Sequence, residues 1–467
     1  MEQLQTTYKN SEMKIPGSMD IREHAAAPRT ATVASLLLTL LLTVGCFRVI
    51  ADPLHVWDPI LGTREQNGIH TFFHLDEHCA DIPPIQAAEF AQRQEKLVQA
   101  LRDSNASAYI AEPSASAIYF ANVSATQWHL SERPFLFVFT PDVEGGSVQP
   151  NLTILAPKFE ETRAKQLSLP FEGVHFIVWP EEQSPYEVLF SSLNLPAGNI
   201  FIDGATRFFI VDGLQKAYKE GEVLIAPSEV TRLRERKSAN EVTLMKCANE
   251  ATLLALREVH KQMRIGMRES EARDMIASAL TAIGLEEGSC LTLFGEDAAL
   301  PHGGGSDRVL GKSDYALFDC VASLHGYKSD LTRTVALPDS DIPSNHSTIW
   351  QSVLSAQNAA LAQARQGVVA KSVDEAARNS LASSQLDQFL THRLGHGIGL
   401  ENHESPYLNG GSEVILEPGH CFSDEPGVYI EGEVGVRLED CFCIDEDGLP
   451  ILLTKDVGGQ ALDPLSP

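Results

Sequence analysis

Residues 314–334 read Asp314-Tyr315-Ala316-Leu317-Phe318-Asp319-Cys320-Val321-Ala322-Ser323-Leu324-His325-Gly326-Tyr327-Lys328-Ser329-Asp330-Leu331-Thr332-Arg333-Thr334. The stretch predicts strand, turn, strand, with Gly326 at the turn. With Ser323 to Gly326 as the turn, Asp319 stands directly across from Asp330. Directly opposed residues of an antiparallel pair share a face. Two carboxylates there repel unless a cation lies between them, and a divalent metal meets that need. Taken alone, the pair also fits two solvated acids on an exposed hairpin.

A second stretch weighs against the bland reading. Phe422-Ser423-Asp424-Glu425-Pro426-Gly427-Val428-Tyr429 leads through Glu431-Gly432-Glu433 into Val434-Gly435-Val436-Arg437-Leu438-Glu439-Asp440. With Gly432 at the midpoint, Glu425 faces Glu439. The two hairpins facing one another assemble four carboxylates, enough for two divalent ions. Two metals about 3.5–4 Å apart activate water and grip a carbonyl. Then comes Thr391-His392-Arg393-Leu394-Gly395-His396-Gly397-Ile398-Gly399-Leu400-Glu401-Asn402-His403-Glu404. A lone His is more often a satisfied core or surface residue than a ligand. Here the interleaved glycines let backbone crowd a site, and one His completes the carboxylate set. Pro301-His302-Gly303-Gly304-Gly305 is too short and wrongly placed for a phosphate loop. It reads as a flexible loop carrying His302 to the rim.

Around these stretches the C-terminal half reads as α+β with antiparallel hairpins. Ser238-Ala239-Asn240-Glu241 is a capping box that opens a helix to about Met263. Further helices fit Glu269–Ala282 and Thr348–Arg365, and Ser372-Val373-Asp374-Glu375 reads as a second box before a fourth. Upstream, roughly 85–225, helical spacing over Phe90 to Arg102 alternates with strand signals at 108–110, 135–139, 152–155, 174–178 and 199–202. That alternation indicates an α/β domain. It contains no Gly-rich phosphate loop and no catalytic cluster. Residues 52–84 read as an irregular linker and 1–29 as an N-terminal tail.

The 467-residue chain carries 63 acidic and 36 basic residues, a net charge of −27. It has little with which to build a phosphate-neutralising face, so no nucleic-acid partner is expected. Thr30 to Phe47 are 18 uncharged residues centred on a leucine run. They predict a membrane anchor or a cleaved signal peptide. With Arg22 and Arg29 before the run and sequons at Asn105, Asn122, Asn151 and Asn345 after it, the expected body is non-cytosolic, membrane-anchored or secreted, and glycosylated. Seven Cys follow the run, an odd number, so at least one lies outside any intrachain pairing.

Residues 230–460 resemble the pita-bread metallopeptidase family, which includes methionine aminopeptidase, Xaa-Pro aminopeptidase, prolidase and creatinase. The 85–225 segment resembles the N-terminal domain of the creatinase, prolidase and Xaa-Pro aminopeptidase branch. The resemblance implies an α/β N-terminal domain followed by an α+β pita-bread catalytic domain, in a homodimer. It implies that Asp319 chelates one metal, that Asp330 and Glu439 bridge both, and that His396 and Glu425 hold the second. His302, His392 and His403 match the family's substrate-side histidines, and Arg437 its arginine behind the metal ligands. One departure is visible: Val321 stands where the family usually has Gly. The implied activity is metal-assisted hydrolysis of the Xaa-Pro bond at the N-terminus of a small peptide, with Xaa-Pro dipeptidase activity as the alternative. Glu425 would shuttle a proton and His403 would donate to the oxyanion. An oxygen-rich site with one His suits manganese, and also cobalt or zinc. Metal-free members of the family lose ligands, whereas all five ligand positions here are competent.

Overall fold

The computed structural model describes residues 78–144 and 147–467, all within the unit His70–Pro467. The N-terminal region is built on strands β1 (Ala106–Ala111), β2 (Leu136–Glu144), β3 (Ser147–Pro157), β4 (His175–Trp179), β5 (Asn199–Ile202) and β6 (Val223–Ile225). They form one mixed sheet in the order β4-β3-β2-β1-β5-β6, antiparallel at β1–β2 and β2–β3 and parallel elsewhere. Alternation along the strands shows why it is covered on both sides. Tyr109, Ala111, Phe137 and Phe139 enter one core, while Ala108, Ile110, Leu136 and Val138 enter another. The helix Ala87–Asp103 lays Phe90, Leu97, Val98 and Leu101 into buried positions. The α/β region expected from the strand signals is therefore present.

The C-terminal region begins with the helix Ala239–His260, whose Ser238–Glu241 capping box is fully formed. The helix Glu269–Ala282 follows, then a three-stranded antiparallel sheet of β7 (Glu286–Phe294), β8 (Ala316–Leu324) and β9 (Tyr327–Val335). After the helices Ser344–Gln363 and Ala370–Ala382 come β10 (Gly395–Gly397), β11 (Glu404–Leu408), β12 (Cys421–Asp424), β13 (Gly427–Ile430), β14 (Val434–Arg437), β15 (Asp440–Ile444) and β16 (Pro450–Leu452). A five-stranded sheet runs β11-β10-β12-β15-β16, and β13–β14 form a separate ribbon. The expected capping box at Ser372 is not one. The helix already starts at Ala370; Ser372 donates its hydroxyl to the Val369 carbonyl at 2.7 Å, and buried Asp374 holds Arg378 instead.

One register differs from expectation. The β8–β9 turn has two residues, His325 and Gly326, both in the left-handed region (φ 50° and 85°), the conformation that suits a tight hairpin. Leu324 therefore pairs with Tyr327, Val321 with Asp330, and Asp319 with Thr332. Asp319 and Asp330 are diagonal neighbours on one face rather than directly opposed. In the second hairpin, Asp424 pairs with Asp440 and Gly427 with Arg437. Glu425 and Glu439 thus stand opposite one another, as expected, in the gap between two ladders.

Among the described residues three disulfides join Cys79 to Cys247, Cys290 to Cys320 and Cys421 to Cys443, leaving Cys441 free and buried. The expectation of a membrane-anchored or secreted glycoprotein is corrected. No helix among the described residues is long and apolar enough to cross a membrane, and the segment 30–47 lies outside those residues. The Asn345 amide, one of the expected glycan acceptors, donates to Glu433 at 2.9 Å.

His420 is buried, with its Nδ1 accepting from the Glu417 amide at 3.2 Å. Burial, with Lys237, Arg236 and Arg232 close by, pushes it down to about 4. An unfolded His titrates near 6.5, so the unfolded chain binds the extra proton first. Stability from this group is present above about pH 6.5 and is lost as pH falls toward 4. We expect His420→Asn to flatten the fall in melting temperature over that window. An unchanged slope would show that His420 does not set it.

Candidate active site

Each hairpin supplies half of the cluster, and β9 joins them. Asp330, Thr332 and Thr334 share one face of β9 by the period of two. The Thr332 carbonyl accepts from the Glu439 amide at 3.0 Å, and the Thr332 hydroxyl donates to Glu439 Oε2 at 2.6 Å. One residue pair along, Thr334 Oγ1 bonds both the Arg437 carbonyl (2.8 Å) and its amide (3.1 Å). On the other face, buried Arg333 donates to the Glu439 carbonyl at 2.7 Å and to Asp440 at 2.9 Å. His396 comes from β10, which lies against β11 and β12. A Cβ on Gly395 would strike the Ser423 carbonyl, and one on Gly397 the Glu404 carbonyl. Only glycine lets three backbones crowd there.

The five expected ligand positions converge. Ligand atoms of Asp319, Asp330 and Glu439 lie within 4.8 Å of one another, as do those of His396, Glu425 and Glu439. His396 Nε2 is 3.2 Å from Glu425 and 3.5 Å from Asp330. Its Nδ1 is 3.1 Å from the Gly397 carbonyl, which orients the ring. His403 joins a third such group with Asp330 and His396, its ring centroid 4.1 Å from that of His396.

The cluster carries too much negative charge for its surroundings. Burial, reinforced by Asp319 and Glu425, pushes Asp330 up to about 6 against the pull of His396. Burial and the neighbouring carboxylates raise Glu439 further. Burial opposes charge on His396, yet its bonds to Asp330 and Glu425 outweigh this and push it up to about 10. Among the described residues Arg437 is the arginine bonded to a carboxylate of the cluster, holding Asp319 at 2.6 Å. Four carboxylates, largely buried and short of cations, form a hard oxygen donor set completed by one imidazole. That set fits two divalent cations.

The remaining expected residues surround a cleft of about 670 Å³. His302 is exposed on its rim. His392 bonds the Tyr429 hydroxyl at 2.8 Å, which in turn accepts from Arg437 at 2.8 Å. Val321, the departure from the family pattern, lines the cleft opposite Asp330. Sequence reading missed Thr332, Tyr429 and Asn402, which donates to Asp330 at 2.9 Å. Thr332 had a signal: it stands two residues from Asp330 on a strand.

A family model described as "Metallopeptidase family M24" matches residues 243–446. An uncharacterized peptidase of Schizosaccharomyces pombe is 39% identical over 377 residues, 79% of this chain and 82% of that protein. The chain belongs to metallopeptidase family M24. An Xaa-Pro dipeptidase of Lactobacillus delbrueckii subsp. lactis is 34% identical over 225 residues, 47% of this chain and 60% of that one. A dipeptidase structure from Pyrococcus horikoshii superposes with a TM-score of 0.67 at 29% identity, covering 80% of this chain and 99% of the other. This M24 protein is thus a peptidase with the pita-bread fold. The relatives' names are those of peptidases and dipeptidases.

Thr332→Val removes the hydroxyl that Glu439 and Arg437 share. Partners of this kind typically contribute about 10–100-fold to metal affinity. We expect a loss of that size in a metal titration, with the melting curve little changed; wild-type affinity in the variant would reject the role.

Proposed function

We propose that this M24 peptidase is a two-metal exopeptidase that cleaves the Xaa-Pro bond of small peptides. The convergence of Asp319, Asp330, His396, Glu425 and Glu439 on one cleft carries the reading. The domain division that accompanies it is an α/β region, 85–225, and a catalytic region, 230–460. Asp319 would serve one ion, Asp330 and Glu439 both, and His396 and Glu425 the second. Manganese suits the oxygen-rich set, with cobalt and zinc as alternatives. When bound, the ions would supply Lewis acidity and bring the pKa of a water toward neutrality.

The chain's own groups do the rest. Glu425, half-buried beside His396, would take a proton from the attacking water and return it to the leaving nitrogen. His403 lines the same cleft and would donate to the carbonyl oxygen as negative charge develops on it. Burial above all holds His403 below the ordinary imidazole range, which favours the neutral ring that donates through one N–H. Arg437 fixes Asp319 and, through Tyr429, His392. Proline specificity is supported by the name of the Lactobacillus relative.

The test is hydrolysis of Xaa-Pro dipeptides and Xaa-Pro-Xaa tripeptides by protein stripped with chelator and reloaded with manganese, cobalt or zinc. Asp330→Ala and Glu439→Ala should each abolish turnover and lower the content of both metals. Wild-type turnover with two metals bound in either variant sinks the assignment. His403→Ala should keep its metal and lose about 10²–10³ in rate, the usual cost of one oxyanion donor. If it loses metal instead, His403 is a ligand.

A further inference from the structure

We propose that Cys79, Cys247, His78 and Glu250 form a zinc site once the Cys79–Cys247 bridge is reduced. The site shares no residue with the catalytic cluster. It lies where the segment ahead of the first helix meets the helix Ala239–His260. Both sulfurs and one ring nitrogen of His78 lie within 4.8 Å of one another. His78 Nε2 is 3.0 Å from Glu250 Oε2. Glu250 follows Cys247 by three positions on the helix, so both project from one face. The Cα atoms of the two cysteines are 5.9 Å apart, close enough for both thiolates to reach one ion at the usual Zn–S distance of about 2.3 Å.

A bridge alone does not account for the residues around it. Glu250 is 7% exposed, and its Oε1 has no hydrogen-bond partner. Lys246 Nζ stands 3.7 Å from that oxygen and gives its hydrogen bond to Asp456. A buried carboxylate oxygen without a donor calls for a cation. Among the described residues, neither Cys290–Cys320 nor Cys421–Cys443 has such a set of donors beside it. Two thiolates, an imidazole and a carboxylate are ligands that zinc takes in tetrahedral sites, and thiolate disfavours the hard cations manganese, magnesium and calcium. Three negative charges against the ion's two leave one over, and Lys246 is near enough to offset it. The sulfurs are buried, while His78 faces solvent and gives the ion a way in.

Disulfide and zinc are alternative states of the same side chains. A dithiol reductant passes two electrons and two protons to the sulfur–sulfur bond and itself becomes a disulfide. Zinc then takes the place of the two thiol protons, which leave to solvent. In either state the segment ahead of the first helix stays fastened to the helix Ala239–His260. That helix also carries Asn249, whose Oδ1 accepts from the Asp330 amide at 3.3 Å, and Thr252, whose hydroxyl is 2.8 Å from that of Ser329. Zinc thus preserves in a reducing environment the fastening behind β9 that the bridge supplies in an oxidising one.

The experiment uses the full chain, reduced with dithiothreitol, freed of it without air, and titrated with cobalt and then zinc. Cobalt bound by thiolate shows a near-ultraviolet charge-transfer band that a sulfur-free site does not give. The catalytic cluster offers only carboxylates and imidazole, so cobalt held there is silent in that band. We expect the band after reduction and not before. Zinc should discharge it, with one more ion bound per chain than in the unreduced protein and an apparent Kd of about 10 nM or tighter. Cys79→Ser should abolish the band. His78→Ala and Glu250→Gln keep both cysteines. Even residues behind the ligands typically contribute about 10–100-fold to affinity, so we expect losses in zinc affinity of at least about 100-fold and about 10-fold respectively. No band in reduced wild type, a band unchanged in Cys79→Ser, or wild-type zinc affinity in either His78→Ala or Glu250→Gln overturns the proposal. Because the first reading is made in wild type, a variant that fails to fold does not shelter it.

Discussion

Everything in the catalytic region answers to one electrostatic constraint: carboxylates that repel one another are held together away from water. Asp330 and Glu439 are nearly fully buried, and Asp319 and Glu425 only partly exposed. Left alone, such a set would move apart or take up protons. The scaffold therefore opposes separation by backbone bonds rather than by flexible side chains. The Glu439 amide is fastened to β9, and the Glu425 amide to the Leu394 carbonyl at 3.0 Å. Glu439 and Glu425 are each placed by their own peptide group before their side chains are considered.

The strand alternation sorts charge into two layers. Glu425 and Glu439 face the cleft, while their neighbours Asp424 and Asp440 lie on the other face. Asp440 is satisfied by Arg333 at 2.9 Å, Thr454 at 2.6 Å and Gln357 at 3.3 Å. Asp424 has no hydrogen-bond partner on either side-chain oxygen. Burial, Asp440 and Glu425 all raise it well above the usual carboxylate range, which favours its uncharged form. The layer under the site thus pairs one carboxylate with Arg333 and pushes the other toward its uncharged form, which limits the repulsion it adds to the layer above.

The sequence made the site legible because strands convert spacing into direction. Symmetry about Gly432 placed Glu425 opposite Glu439, and order along the chain placed His396 between the hairpins. The first hairpin was read two residues out of register, since a four-residue turn and a two-residue turn share a Gly at Gly326. The face was still right, because an error of two leaves side chains on the same side. Ser372 misled for a different reason: Ser followed three residues later by Glu has the form of a box whether or not the helix begins there. Asn402 and Tyr429 escaped notice because the groups they hold, Asp330 and His392, lie 72 and 37 positions away and neutral polar residues carry no pattern of their own; Thr332 had only its spacing from Asp330.

The bridge between Cys79 and Cys247 spans 168 positions. It begins just ahead of the first helix and ends within the helix that opens the catalytic region. The whole mixed sheet therefore sits inside one covalent ring. A protease that cuts a loop anywhere in that ring linearises it without releasing a fragment. The two parts stay joined, and the cleaved protein runs as a single species until the bridge is reduced. Fragment sizes from limited digestion consequently report cut sites in this part of the chain only after reduction.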